Sequence, residues 1–184
     1  MSRACIFLAD GFEEIEALTP ADLLRRAGIR VDLVAVGDSL DITGRSGITV
    51  RADMAFEDAD FEGADMLVLP GGMPGTTNLE NSKELKELIG KFDSEGKRIA
   101  AICAAPSVFG HMGLLEGRKA VCYKGMEGEL YGAVIADAEA VTDGNITTSR
   151  GAGTAVEFAL ELIRVLLNEE MSTKVKEDII YKDK

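Results

Sequence analysis

Short apolar segments alternate along the chain with segments whose apolar residues recur at helical spacing. Five of the short segments are predicted as strands: ACIFLA (4–9), VDLVAV (31–36), MLVLP (66–70), RIAAIC (98–103) and NITTS (145–149). Three of them are apolar almost throughout, which is typical of strands buried on both faces of a parallel sheet.

The segments between these strands carry helix signals. DGFE places Asp10 at a predicted N-cap, with an acidic residue three positions later. In NSKELKELIGKF (81–92), apolar residues at i, i+3, i+4 and i+7 form one amphipathic face. TAVEFALELIRVLL (154–167) begins with Thr154 and Glu157 in capping-box spacing, and its narrow polar stripe predicts a largely buried helix.

The alternation of strands and helices predicts one α/β domain over residues 1–184, with a mostly parallel sheet and helices on both faces. Residues 40–62 alternate in polarity and turn at two glycines, which predicts a small hairpin beside the sheet. The tail, residues 172–184, is predicted to form one last short element.

Composition narrows the function classes. The net charge of -12 and the absence of a basic cluster disfavour nucleic acid as a stable partner. No apolar run approaches the roughly 20 residues that span a bilayer, and the first ten residues are interpreted as a strand, not a signal peptide. The three cysteines are far apart and have no metal-ligand spacing, so we expect reduced thiols in the cytoplasm and no metal site.

Cys103 is the strongest chemical candidate because it stands where a predicted strand becomes a predicted helix. A helix beginning at Ala104 would direct free N–H groups at the sulfur and lower the pKa of the thiol. The small neighbours Ala101 and Ala105 would permit the sharp turn of a nucleophile elbow. Cys5 and Cys122 are interpreted as structural.

Two other segments follow strands and therefore lie at the carboxyl edge of the sheet, where ligands bind in such folds. The amides of Gly71 and Gly72, unobstructed by Cβ atoms, would form an oxyanion hole, although an ordinary turn is the alternative. Glu16 lies between apolar residues, and burial would raise its pKa and keep it protonated as a donor to a thiolate or as a general acid and base. A solvated helix face is the alternative for Glu16.

His111 is the only histidine and is a poor base for Cys103. Eight residues along one helix separate the two side chains by roughly 12 Å. His111 is therefore interpreted as a surface or capping residue.

Four segments together resemble the ThiJ/PfpI family, the group that includes the Parkinsonism-associated protein deglycase. They are FLADGFEEIEALTPADLLRRAG, LPGGMPG, AAICAAPS and TSRGAGTAVEFALELI, in the family's order and spacing over nearly the whole chain. The resemblance is to the bacterial ThiJ-type branch.

The resemblance implies a flavodoxin-like three-layer sandwich, a homodimer, and no metal or organic cofactor. It implies a nucleophilic Cys103 with Glu16 as its protonated partner. The amides of Gly71, Gly72 and Ala104 would line an anion pocket. Arg45 and Arg150 stand in segments where some members place arginines at the pocket mouth.

Two departures from the family narrow the activity. The peptidase-like branch has a histidine directly after the cysteine, where this chain has Ala104, so a peptidase is disfavoured. The animal branch has a histidine about twenty residues later, where this chain has Tyr123, whose usual pKa of about 10 makes it a poor base.

Three function hypotheses remain open. The first is a cofactor-independent glyoxalase or deglycase that acts on methylglyoxal, related dicarbonyls or their adducts through a hemithioacetal on Cys103. The second is a redox sensor or holdase chaperone that uses the same oxidisable cysteine. The third is a catalytically silent binding module with ordinary thiol reactivity.

Overall fold

The computed structural model of the protein describes residues 1–182, and it has a seven-stranded sheet at its centre. The sheet strands are β1 (Arg3–Leu8), β2 (Arg30–Ala35), β5 (Met54–Ala55), β6 (Met66–Leu69), β7 (Arg98–Ile102), β10 (Ala140–Asp143) and β11 (Ile146–Ser149). Their spatial order is β10-β11-β7-β6-β1-β2-β5, and only β10 runs antiparallel to its neighbour. The five predicted strands are therefore confirmed and form the centre of the sheet.

Two short strand pairs lie outside the main sheet. They are β3 (Asp41–Thr43) with β4 (Thr49–Arg51), which is antiparallel, and β8 (Lys119–Ala120) with β9 (Val134–Ile135), which is parallel. The first pair is the hairpin predicted within residues 40–62, and the second was not predicted.

Six helices cover the two faces of the sheet. They are α1 (Glu14–Arg26), α2 (Gly75–Asn81), α3 (Lys83–Ser94), α4 (Pro106–His111), α5 (Ala155–Leu166) and α6 (Glu169–Asp178). Side chains of α1, α5 and α6 share one buried cluster with alternate residues of β1, and those of α2, α3 and α4 share a second cluster with the other residues of β1. The arrangement is the three-layer, flavodoxin-like α/β fold expected from the sequence.

The predicted helix starts are partly wrong. Helix α3 begins after Ser82, whose hydroxyl accepts the Leu85 N–H at 3.1 Å. Helix α1, however, begins at Glu14 and not after Asp10, because the Asp10 carboxylate accepts the N–H of Thr43 in the hairpin at 2.8 Å. Thr154 bonds to Gly151 instead of forming a capping box with Glu157.

The tail forms α6, as the sequence predicts for residues 172–184, although the helix begins earlier than expected. The last two residues of that predicted element, 183–184, lie outside the described residues. Within residues 1–182, no helix combines the length and apolar character that crossing a membrane requires.

Candidate functional site

The candidate site lies at the carboxyl edge of the sheet, in the segments that follow four neighbouring strands. The order β11-β7-β6-β1 places the segments that follow these strands side by side. Backbone hydrogen bonds join the segments: the Glu13 N–H donates to the Gly71 carbonyl at 2.9 Å, and the Cys103 N–H donates to the Ser149 carbonyl at 3.0 Å. The sheet topology thus brings residues that are far apart in the chain into one pocket.

Cys103 occupies a strained backbone position directly after β7. Its φ is 65°, in the left-handed region that residues other than glycine rarely adopt. Such strain is found mostly at functional sites, where the surrounding structure holds it in place. Here the Tyr123 N–H donates to the Cys103 carbonyl at 2.7 Å, which fixes the turn from the other side.

Helix α4 begins at Pro106, not at Ala104 as the sequence predicted, because Ala104 and Ala105 form the turn after the strand. The helix has only six residues, so its dipole is short. The groups that reach the sulfur are instead the N–H of Ala104 and the N–H of Gly72, which hydrogen-bond to it and lower its pKa.

Glu16 is buried beside Cys103, with 1% of its surface exposed. The Gly71 N–H donates to Glu16 Oε2 at 2.9 Å, and the carboxyl also hydrogen-bonds to the Cys103 side chain. Burial raises the pKa of Glu16 to about 7, although the bonds to Cys103 and Gly71 act in the opposite direction. The structure therefore places Glu16 where the sequence predicted a protonated carboxyl.

The pKa of Cys103 depends on where Glu16 keeps its proton. Burial raises the pKa of the thiol to about 12, and the charge of an ionised Glu16 adds to that rise. With the proton on Glu16 the repulsion disappears, and the carboxyl joins the amides of Ala104 and Gly72 as a third donor to the sulfur. The expectation of a lowered thiol pKa is therefore wrong: burial raises the pKa, and a protonated Glu16 removes only the part of the rise that its charge causes.

The glycines of the PGG segment have different roles from those predicted. The Gly71 amide is engaged by Glu16, so only the Gly72 amide, together with that of Ala104, faces the sulfur. A Cβ on Gly71 would lie 2.7 Å from both Cys103 Cβ and Glu16 Oε2, so no larger residue fits there. Gly71 is therefore a position of close approach and does not contribute a free oxyanion donor.

The three remaining predicted pocket residues lie at different places. The Tyr123 ring borders the pocket next to Gly151. Arg45 stands near the mouth, where its guanidinium pairs with Glu13 at 3.5 Å, and its charge acts on Glu16. Arg150 directly precedes Gly151 and lines a cavity of about 230 Å³ together with Cys122, and its place at the pocket mouth stays a prediction.

His111 and the other cysteines lie outside the pocket, as expected. His111 hydrogen-bonds to Glu80 and, at 2.9 Å, to Glu129. Burial raises the pKa of Cys5 and of Cys122 to about 11 each. Within residues 1–182, no group of three or more histidine, cysteine or carboxylate side chains is suited to holding a metal ion.

Sequence reasoning missed Gly151 as a site residue. It follows β11, and a Cβ built on it would lie 3.8 Å from both Cys103 Sγ and Glu16 Oε1. The rule that strand ends meet at one edge would have pointed to it, because β11 was itself predicted.

The fold and the site together define a flavodoxin-like α/β protein with a cysteine on a strained turn and a buried carboxyl as its partner. The chain belongs to the DJ-1/PfpI family, whose family model matches residues 2–165. The resemblance to the ThiJ/PfpI family is thereby confirmed.

Individual relatives agree with this assignment. The chain is 36% identical to the Parkinson disease protein 7 homolog of Danio rerio, over 98% of each protein. It is 37% identical to a deglycase of Pyrococcus abyssi, over 89% of this chain and 99% of that protein. It is also 37% identical to the DJ-1 homolog B of Arabidopsis thaliana, but there it spans only 42% of the relative's length.

A solved structure shows the same fold. Oxidized DJ-1 of Toxoplasma gondii superposes with a TM-score of 0.95 at 35% identity, over 99% of this chain and 100% of that chain.

Proposed function

We propose that the protein is a cofactor-independent enzyme that acts on reactive dicarbonyls, or on their early adducts with amines and thiols, through Cys103. The observation that carries the proposal is the strained turn at Cys103, where the sulfur meets the Glu16 carboxyl and two backbone amides. The names of two archaeal relatives, deglycases of Pyrococcus abyssi and Thermococcus kodakarensis, support an activity of this class.

In the first step, the Cys103 thiolate adds to the aldehyde carbon of methylglyoxal. A C–S bond forms, the carbonyl π electrons move to oxygen, and the oxygen takes the proton that Glu16 held. The product is a hemithioacetal beside an ionised Glu16. The amides of Ala104 and Gly72, which hydrogen-bond to the sulfur, lie close enough to stabilise the developing negative charge.

In the second step, the ionised Glu16 removes the C1 proton, and the electron pair moves through an enediol to the neighbouring carbonyl. Glu16 returns that proton to C2 while the hydroxyl proton passes from the C1 oxygen to the C2 oxygen, which gives a thioester of lactate on Cys103. Water then cleaves the C–S bond of the thioester, which releases lactate and the thiol. The balance is methylglyoxal plus water to lactate and one proton, with no external oxidant or reductant.

Glu16 is the only base that this route requires. His111 is held between Glu80 and Glu129 on the far end of α4, and Ala104 occupies the position where a peptidase of this family would have histidine. A single carboxyl that gives up and regains a proton suits a rearrangement better than the hydrolysis of an unactivated peptide bond.

The test is the conversion of methylglyoxal to lactate by the purified protein. We expect Cys103→Ala to lose turnover on the order of 100-fold or more, because the nucleophile is removed. Cys122→Ala is the matched control, since that cysteine is buried outside the pocket and should leave turnover unchanged. Wild-type turnover no faster than that of Cys103→Ala would refute the proposal.

A redox sensor or holdase is the second candidate, because Cys103 alone among the three cysteines is partly exposed. An exposed thiolate oxidises to sulfenic and then sulfinic acid, and a protonated Glu16 could donate to the sulfinate. Mass spectrometry after mild peroxide treatment separates the two candidates. Two added oxygens on Cys103, suppression of client aggregation and negligible turnover would favour the sensor.

A further inference from the structure

Residue 151 has no side chain, and the position that its Cβ would take lies beside the Cys103 sulfur. A Cβ built on Gly151 would lie 3.5 Å from Tyr123 Cδ2 and 3.8 Å from both Cys103 Sγ and Glu16 Oε1. These are ordinary van der Waals distances, so a methyl-sized group fits there and touches all three side chains. A substrate carbon bonded to the sulfur could occupy this same volume.

The Gly71 side of Cys103 is filled by neighbouring atoms. A Cβ on Gly71 would clash at 2.7 Å with Cys103 Cβ and at 2.9 Å with the Ile102 carbonyl oxygen. A substrate therefore has no room on the Gly71 side, and the volume beside Gly151 and Tyr123 offers an approach to the sulfur.

The Tyr123 ring is the variable wall of this opening. The Tyr123 backbone is fixed to the site by the bond from its N–H to the Cys103 carbonyl at 2.7 Å. The residue itself is 54% exposed. The ring, whose Cδ2 would lie 3.5 Å from a Cβ on Gly151, is therefore the exposed side-chain surface next to this volume.

We propose that Gly151 and the Tyr123 ring are the specificity-determining residues, and that they restrict the enzyme to small aldehydes such as glyoxal and methylglyoxal. Bulkier 2-oxoaldehydes such as phenylglyoxal, and adducts on folded proteins, would be excluded by width. This inference about substrate class rests on the proposed function, but the width of the opening is measurable without turnover.

The first experiment measures alkylation of Cys103 by iodoacetamide and by the bulkier N-phenylmaleimide, followed by mass spectrometry of the Cys103 peptide. We expect Tyr123→Ala to raise the ratio of bulky to small reagent rates roughly tenfold, because the wall is removed. Tyr123→Phe should keep the wild-type ratio, since the ring is unchanged. Gly151→Ala should lower the rate with the bulky reagent about tenfold, because its methyl group occupies the opening.

Tyr131→Ala is the matched control, because Tyr131 is equally exposed but packs against His111 instead of the sulfur. An unchanged ratio in Tyr123→Ala would overturn the proposal. So would a ratio in Tyr123→Phe equal to that of Tyr123→Ala, since the hydroxyl would then be the determinant. If Gly151→Ala fails to fold, the Tyr123 variants alone still test whether the ring limits access to Cys103.

The second experiment compares turnover of methylglyoxal and phenylglyoxal. We expect Tyr123→Ala to raise the relative kcat/KM for phenylglyoxal roughly tenfold. If Tyr123→Ala changes the alkylation ratio but the protein has no turnover, the proposal about Tyr123 stands and the proposed dicarbonyl activity is refuted. An active enzyme whose substrate preference does not respond to Tyr123→Ala would do the reverse.

Discussion

At the scale of single residues, the reactivity of the site depends on one proton shared by Cys103 and Glu16. The sequence could predict both residues, because a cysteine at a strand end and a carboxyl between apolar neighbours are visible in it. It could not predict that the Gly71 amide bonds to Glu16, since that bond depends on how two distant loops meet. Gly151, by contrast, could have been found from its place directly after the predicted strand β11, although its distance from the sulfur could not.

The raised pKa of Glu16 predicts a pH dependence of folding stability. The native state holds this proton more tightly than the unfolded chain, whose carboxyl titrates near the ordinary 4.5. Its contribution to stability is therefore complete below about pH 4.5 and is lost as the pH rises through about 7. The loss is on the order of 3 kcal/mol for the titration of this one buried group.

Urea unfolding of wild type and Glu16→Gln across this pH range tests the prediction. The glutamine variant should lack the decline in unfolding free energy, because its side chain does not titrate. Glu62→Gln, which removes an exposed carboxyl, should behave as wild type. An equally steep decline in Glu16→Gln would contradict the assignment of the proton to this site.

At the scale of elements, the strands and the amphipathic helices followed from local patterns, whereas the helix starts did not. A capping rule considers only the next few residues. Asp10 bonds to Thr43 in the hairpin, and Thr154 bonds back to Gly151, so both candidate caps are taken by other partners. A tertiary contact thus decides the start of α1, and the bond of Thr154 to the turn just before it decides the start of α5.

His111 connects three elements: the end of α4, Glu80 on α2, and Glu129 on the segment that follows Tyr123. The hydrogen bond to Glu80 is the main cause that raises the pKa of His111 above its usual 6.5. The bond to Glu129 adds to the rise, and partial burial opposes it. Tyr131 packs against the ring. The contribution to stability is present below about pH 6.5 and is lost as the pH rises through the raised value.

Because the chain has one histidine, its imidazole protons give a single NMR titration. We expect the pKa of His111 to lie above 6.5 in wild type and to be lower in Glu80→Gln, because Glu80, which raises it most, is then replaced by a neutral side chain. The matching stability difference should stay at about 1 kcal/mol or less, since the cluster is partly solvated. A wild-type pKa at or below 6.5 would show that the two glutamates do not hold the ring.

At the scale of the whole molecule, α1 and the hairpin present an apolar patch. Ile15 and Leu18 lie one turn apart on α1 and are 52% and 36% exposed, and Ile48 of the hairpin is 56% exposed. The Ile48 N–H lies 3.4 Å from Glu14 Oε1, so the hairpin adjoins this face of the helix. We propose that this patch is the surface of the homodimer that the family resemblance implies.

Sedimentation equilibrium tests the dimer. Wild type should have twice the chain mass of 19.6 kDa, and Ile48→Glu should shift it toward the single-chain mass by burying a charge in the contact. Val134→Glu alters a similarly exposed residue on β9 and should remain dimeric. A monomeric wild type would show that there is no dimer contact. Dissociation by Val134→Glu but not by Ile48→Glu would place the contact on another surface.

The left-handed backbone at Cys103 lowers the stability of the folded protein but positions the sulfur for reaction. Holding a side chain other than glycine there costs on the order of 1–3 kcal/mol, a sizeable share of the margin that keeps a domain folded. A glycine at this position would remove the backbone strain but would also remove the sulfur. The position therefore marks a compromise in which the molecule is less robust than its fold permits so that one atom can be presented to a substrate.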